Sequence, residues 1–452
     1  MKTLFEISKS GLRSAERSLS VTSNNVINAD TPGYSRQRVD KEPVGMQMTG
    51  FHAGLGVNIT SITRMRNEMT DVVLNEKRQD MGFLKEKEQI FDQLEASMAS
   101  DSGGDLDMRI GKVFDMFSEL SADPQDKSVR NSLMTEAEQL TSKFADISRN
   151  IDRTSDIVKD NTNSTIENIN QLLTDLDSLN DAITQGQASG KPDHASLDLQ
   201  VEKLEELAGL IDFESQVTDK GALELRVGGV LVLDEDKASS IRGEVDDVEK
   251  SFNLRLDSGK TIQSAGGKLG ADIDMYENEI PGMKERLDEV ANTLVEQFNA
   301  VHSQGYGLED DTTRNFFDPS STGASDIRIN DDLKQDVGHI AASSVAGEAG
   351  NGDIAGQVAD LRNEPMIGGR KVVDYAVNLI STPGRNLSEI RSNIEVRDSE
   401  ISMLNAQQER EAGVNVDEEL SMMIQYQNAY QGAARVMSAA QEMYDTLIGI
   451  VR

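Results

Sequence analysis

Four histidines, 79 acidic residues and no cysteine bound the chemistry open to this chain of 452 residues. His52, His194, His302 and His339 stand alone, without the His-Glu-x-x-His spacing that puts two imidazoles on one helix face for a metal. Without cysteine there is neither a disulfide nor a thiolate metal site. Asp105 with Asp107, and Asp310 with Asp311, pair carboxylates as a calcium loop does. Neither pair lies in a run of alternating oxygen ligands with a central glycine and a closing glutamate. Among 79 acids such pairs arise by chance and carry no catalytic weight. Gly54-Leu55-Gly56 lacks the third glycine and the preceding strand of a nucleotide loop, and no nucleophile elbow or phosphate loop occurs. The expectation is a protein that is not an enzyme and needs no catalytic, metal or cofactor site.

The chemistry that remains is association. Phe5, Ser8, Leu12, Ala15, Leu19, Thr22 and Val26 alternate steps of three and four, the a/d spacing of a coiled-coil seam. The polar run Asn24, Asn25, Asn28 and Asp30, followed by Thr31-Pro32-Gly33-Tyr34, stops that helix, since proline removes an amide and disfavours a helical residue before it. This run is either a helix stop alone or a joint that also serves a partner. The far end repeats the pattern: Leu420, Met423, Gln427, Tyr430, Ala434, Met437, Gln441, Tyr444, Ile448 and Val451 share one three-four seam, with Tyr426 and Leu447 beside it. Residues 1–38 carry six basic and three acidic groups, and residues 413–452 two basic and five acidic, so the ends have opposite sign. Exposed ion pairs contribute only up to about 1 kcal/mol each, and the seam supplies most of the attraction. Spacing alone leaves open whether the seams serve only each other or also neighbouring molecules, and whether the tyrosines are core or contact.

The elements between read as follows. Residues 39–60 are a loop with a short strand at Val57–Ile62, and a helical pattern returns from Ile62 to Met98, closing at Ser102-Gly103-Gly104. A shorter helix ends at Asp123-Pro124. From Val129 to Ile183 apolar residues hold near-heptad spacing without Pro or Gly, a rod on the order of 80 Å long. After a break at Gly186–Pro192 and a brief helix, Leu223–Val227, Gly228-Gly229 and Val230–Leu233 form a hairpin, and Phe252–Leu256 with Thr261-Ile262 a second. Helical spacing resumes at Ile273, with Pro281 a kink or fresh start. Ile327-Arg328-Ile329 is a strand-like piece in the Gly- and Asp-rich segment 304–349, which could extend the β module. The chain is helical from Lys371 to its end, interrupted at Pro383-Gly384 and Gly413. The fold class is mainly α: an elongated helical bundle with paired N- and C-terminal coiled-coil helices and a small inserted antiparallel β domain. Three units are expected. They are 1–38 with 413–452; 39–211 with 269–303 and 350–412; and 212–268, with or without 304–349.

A net charge of −34 argues against nucleic acid, whose phosphates need a basic footprint, and against an anionic membrane surface. No apolar run reaches the roughly 18 residues of a membrane span, and no cleaved signal peptide is recognisable.

Both ends together resemble the bacterial flagellar axial proteins, and among these the hook-associated family. The matching residues are Ser23-Asn24-Asn25-Val26 with Thr31-Pro32-Gly33-Tyr34-Ser35-Arg36-Gln37, Gly413-Val414-Asn415-Val416-Asp417-Glu418-Glu419, Tyr426-Gln427-Asn428-Ala429-Tyr430-Gln431, and Gln297-Phe298-Asn299-Ala300 with Phe316-Phe317. The resemblance implies a structural subunit at the joint of hook and filament, outside the cell, exported through the flagellar type III secretion channel without a cleaved signal. It implies as partners other copies in a ring, hook protein, a neighbouring junction protein and flagellin, with an export chaperone on the C-terminal helix. An N-terminal assembly interface is then expected at Phe5, Leu12, Ala15, Leu19, Val26, Asn24, Asn25, Asn28, Pro32, Gly33 and Tyr34. An assembly or chaperone interface is expected at Leu420, Met423, Tyr426, Tyr430, Ala434, Met437, Tyr444, Leu447 and Ile448. Other readings are a hook or rod subunit, or a secreted hydrolase carried on an axial scaffold.

Overall fold

The computed structural model describes residues 2–451 apart from 32, 45–53, 99–104, 247, 264 and 310. His52, Asp310 and the helix stop expected at Ser102-Gly103-Gly104 lie outside the described residues.

The chain opens with α1 (Lys2–Ile27). The expected loop and single strand are a two-stranded hairpin instead: β1 (Gln37–Pro43) pairs antiparallel with β2 (Val57–Arg64), bulged between Asp40 and Lys41. The polar string Gln37-Arg38-Val39-Asp40-Lys41-Glu42 has no apolar alternation to reveal a strand, because neither of its faces meets an apolar core. Ile62, the expected restart of helix, lies on β2. Helix α2 (Glu68–Met98) starts where the Asn67 side chain accepts from the Met69 amide at 3.1 Å.

Next come α3 (Leu106–Ala122), α4 (Lys127–Ala188) and α5 (His194–Leu210). Asp126 and Asp193 cap α4 and α5 by accepting backbone amides. At 62 residues α4 is about 90 Å long and threads two separate apolar cores. Its first half buries Leu133, Leu140, Phe144, Ile151 and Val158 with α2 and α3. Its second half buries Ile166, Ile169, Leu173 and Leu176 against α5 and the β insertion.

The insertion holds two three-stranded antiparallel sheets, β3 (Glu214–Val217), β4 (Leu223–Val227) and β5 (Val230–Leu233), then β6 (Ile241–Asp246), β7 (Ser251–Leu256) and β8 (Thr261–Ile262). Gly228 and Gly229, at φ of 52° and 75°, make the two-residue turn that joins β4 to β5. Asparagines of α4 stand in for an extra strand at each sheet. Asn180 both donates to the Leu223 carbonyl (2.8 Å) and accepts its amide (2.9 Å), and Asn170 does the same with Ile241 (2.8 and 2.7 Å).

Helix α6 (Gly267–Asp274) passes through a π-helical turn, Met275–Glu279, into α7 (Ile280–His302). Pro281 lies in the first turn of α7, the fresh start that its place in the sequence suggests. The wider π turn ahead of it accommodates the ring and the lost amide. Helices α8 (Asp331–Gln335) and α9 (Asp353–Asp360) and a short hairpin of β9 (Pro365–Ile367) and β10 (Arg370–Lys371) follow. Ile327-Arg328-Ile329 is no strand: Ile329 forms one isolated bridge to Phe317. Phe316, Phe317, Ile329, Leu333 and Ile340 pack into the first core beside Phe298 of α7.

Helix α10 (Val372–Ala412) runs unbroken through Pro383-Gly384, against expectation. Pro383 is buried in the bundle, the Thr382 hydroxyl donates to the Asn378 carbonyl at 2.7 Å, and Gly384 lets the backbone approach Glu95. A Cβ there would lie 2.5 Å from a Glu95 carboxylate oxygen. The break at Gly413 is present, and α11 (Val416–Val451) returns alongside α1. The expected fold class is the observed one: mainly α, with long terminal helices paired and small antiparallel sheets inserted.

Candidate assembly interface and its elbow

After Ile27 the chain bends through residues 28–36, with Gly33 in the left-handed region at φ 76°. Asn28 donates to both the carbonyl and the side chain of Asn24, and the Thr31 amide donates to the Asn28 carbonyl. Those contacts are local stop chemistry. Asn25 does something else. Its buried carboxamide donates to the Gln37 carbonyl (2.9 Å) and to Glu419 of α11 (3.1 Å), and accepts from the Gln37 amide (3.0 Å) and the Tyr34 hydroxyl (2.8 Å). All four positions of the amide are used. Pro32, expected at this interface, lies outside the described residues.

Glu419 is 1% exposed, and a carboxylate so placed needs a cation. Arg36 supplies it at 2.8 Å, and the Arg36 amide donates to the Ala412 carbonyl at 3.1 Å. Burial, with Asp198 and Glu419 nearby, pushes the Tyr34 phenol up to about 12. The phenol therefore stays a hydrogen-bond donor throughout the neutral range.

The seam between α1 and α11 is rotated from the one the large residues suggest. Buried on α1 are Ser8, Ser14, Ala15, Ser18, Val21, Thr22 and Asn25. Gly11 faces Ala433 so closely that a Cβ would sit 3.4 Å from the alanine methyl. Small residues let the backbones approach, and the Ser8 and Ser18 hydroxyls satisfy themselves on the Leu4 and Ser14 carbonyls at 2.8 Å each. Of the expected N-terminal residues, Ala15 is buried in this seam. Leu12, Leu19 and Val26 are half-buried on its flank, Phe5 is 40% exposed, and Asn24 and Gly33 are exposed.

On α11, Glu419 and Ala440 are buried, and Met422, Met423, Tyr426, Ala433, Ala434 and Met437 are half-buried. Leu420, Ile424, Tyr430, Val436, Met443, Tyr444, Leu447 and Ile448 are exposed, Tyr444 at 57%. Lys41 of β1 lies 4.6 Å over the Tyr426 ring. Gly56 at φ 107° brings the hairpin onto α1, where a Cβ would fall 2.1 Å from the Ser10 hydroxyl.

Buried titratable groups elsewhere hold structure. His302 is enclosed, its Nδ1 donating to the Arg314 carbonyl (2.7 Å) and its Nε2 accepting from the Ala341 amide (2.9 Å). Burial lowers it to about 4. The Arg130 guanidinium is stitched to the Pro124 and Ile340 carbonyls. Among the described residues no cluster of three or more His, Asp or Glu could hold a metal ion, and no helix is long and apolar enough to cross a membrane.

Sequence reasoning gave Asp198 no role and named Glu419 only within the motif 413–419, without linking it to Arg36 or Asn25.

Residues 91–317, just over half of the chain, match the family model described as flagellar hook-associated protein FlgK helical domain. Residues 5–34 match the flagella basal body rod protein model, and residues 409–450 the flagellar basal body rod FlgEFG protein C-terminal model. The flagellar hook-associated protein 1 of Bacillus subtilis is 25% identical over 493 aligned residues, covering 98% of this chain and 97% of the relative. That of Salmonella typhimurium is 21% identical over 556, with both chains covered in full. The flagellar hook junction protein FlgK from Burkholderia pseudomallei shares the fold at a TM-score of 0.64 and 11% identity, over 75% of this chain and 99% of that one. With a helical body matched over half its length and terminal helices matched at both ends, this chain belongs to the flagellar hook-associated protein FlgK family.

Proposed function

We propose that this chain joins the flagellar hook to the filament as a structural subunit, held in place by packing of α1 and α11 against copies of itself and adjoining axial proteins. One observation carries the reading: the helical body packs most of its large apolar residues into two cores, whereas α11, among the described residues, leaves nine of its own exposed. An unpartnered face of that size is costly in a lone molecule and is stabilised by a neighbour. Phe5, Leu12, Leu19 and Val26 on α1 and Leu420, Tyr430, Tyr444, Leu447 and Ile448 on α11 are its contact residues. Ala15, Asn25 and Tyr34 act one step back by fixing the helix pair.

The chain acts without catalysis. Its partners are hook protein, a neighbouring junction protein and flagellin, and an export chaperone covers α11 before passage through the secretion channel to the cell exterior. Three units divide the labour: 1–38 with 413–452 for assembly, the helical body, and 212–268 as an outward β insertion. The packing of Phe316, Phe317 and Ile340 favours placing 304–349 with the body. Cells whose chain lacks 416–452 are expected to export hooks without attached filaments, and normal filaments on such cells would contradict the reading. The rod-protein matches at both ends favour one other reading, a rod or hook subunit. Imaging a tagged chain at the hook's far end, or along its length, separates the two.

A further inference from the structure

Neither apolar core contains a residue of α1, β1, β2 or α11. Among the described residues the terminal unit therefore adds no buried apolar side chain to either core, and two chain crossings, at residues 65–67 and 413–415, tie it on. What closes the joint is polar. Arg64 at the end of β2 reaches Asp198 of α5 at 2.5 Å, each side chain 14% exposed. Ser35 of the elbow accepts from Arg64 at 3.3 Å and from Arg66 at 3.5 Å, and Arg66 pairs with Asp71 at 2.6 Å and with Glu205 at 3.6 Å. Asn67 donates to Glu411 at 3.0 Å. Beside these contacts a cleft of about 820 Å³ separates the units, lined by Gly33, Arg36, Arg78, Glu205, Gln408 and Gly413 among others.

We propose that the terminal helix pair is a hinged arm on the helical body, latched by the Arg64–Asp198 ion pair. Apolar cores fix an angle because any rotation exposes area to water. A joint made of ion pairs beside an open cleft has no such term, and its hold depends on charge, with salt weakening the exposed pairs far more than the Arg64–Asp198 pair. Asp198 makes the shortest contact of α5 to this joint, and Glu205 of the same helix reaches it only through Arg66 at 3.6 Å, so loss of the Asp198 charge frees the arm while leaving both cores and the Asn25 network intact. The latch is independent of the assembly reading, because it concerns one molecule.

The absence of cysteine permits a direct test on the full chain. Ser20→Cys on α1 and Ser178→Cys on α4, both exposed, carry spin labels, and the distance distribution between them is measured by pulsed dipolar spectroscopy. A narrow distribution is expected at low salt, at least twofold broader in Asp198→Asn. The reciprocal exchange Arg64→Asp with Asp198→Arg should restore the narrow form. Equal distributions with and without Asp198→Asn would overturn the latch. Failure of the exchange to restore the narrow form would do the same.

Discussion

Asn25 and Glu419 stand 394 positions apart and share a hydrogen bond of 3.1 Å at the point where the two ends of the chain meet. Asn25 also clamps the Gln37 backbone, so one carboxamide sets where α1 stops, where β1 begins and where α11 lies.

Replacing that residue removes partners from a buried carboxylate, a phenol and a strand end at once. Asn25→Ala is expected to cost the terminal unit about 2–4 kcal/mol. Amide exchange should speed up over residues 8–27 and 37–43 and stay unchanged in α3 and α7, where the partners are apolar. A uniform loss of protection across the chain would refute this local role.

Gly56 combines a left-handed backbone with contact on Ser10, and the two can be separated. Gly56→Ala should destabilise the hairpin by about 1–3 kcal/mol. Adding Ser10→Ala should recover only part of that, because the φ penalty remains. Full recovery by the double variant, read from thermal unfolding of β1–β2 signals, would mean that the clash alone matters.

His302 is neutral in the fold at about 4, below its ordinary value of 6.5, owing to burial. The unfolded chain binds the proton first as pH falls. Its contribution to stability is therefore complete above about pH 6.5, lost progressively toward pH 4, and flat below. His302→Gln, which can still donate and accept, should flatten the stability curve between pH 4 and 6.5 relative to the parent protein. Chemical denaturation across that window measures it, and an unchanged slope would contradict the assignment.

Asp272 behaves in the opposite sense. Buried on α6 beside Glu86, it is raised to about 8, first by burial and then by the Glu86 charge, and one of its oxygens has no hydrogen-bond partner. Lys268 lies 3.0 Å from Glu86 and only partly offsets this. A group protonated in the fold stabilises fully below the unfolded value near 3.8 and loses that contribution as pH rises toward 8. Asp272→Asn should raise stability at pH 8 by about 2–4 kcal/mol and do little at pH 4. Lower stability at pH 8 would show that the carboxylate, rather than the acid, is the native form.

Much of the fold was legible because its signals are local. Gly228-Gly229 fixed a hairpin, Gly186–Pro192 marked the break between two helices, and a heptad without Pro or Gly marked α4. The elbow was legible as a helix stop but not as a clamp, since an asparagine that ends a helix and one that grips a distant strand look alike in sequence. Asn170, Asn180 and Asn299 repeat the clamp on other segments, also unannounced. The α1 seam was legible in its small members, since Ser8, Ala15 and Thr22 of the three-four run are buried, whereas its large members fall on the flank for a physical reason. Counting large apolar residues favours Phe5, Leu12, Leu19 and Val26, whereas close helix packing favours Ser8, Gly11, Ala15 and Ser18. The large residues on the flank are then left for a neighbour. Pro383 misled because the cost of a proline in a helix can be met by tertiary packing, which no local pattern records.

The central claim is that α1 and α11 complete their burial only within an assembly. Amide exchange of the purified chain, compared with the same chain inside isolated hook–filament junctions, tests it directly. The account predicts that exchange over residues 416–449 slows by about tenfold or more on incorporation, with α4 and α7 unchanged. Equal exchange of α11 in the free and incorporated chain would contradict it.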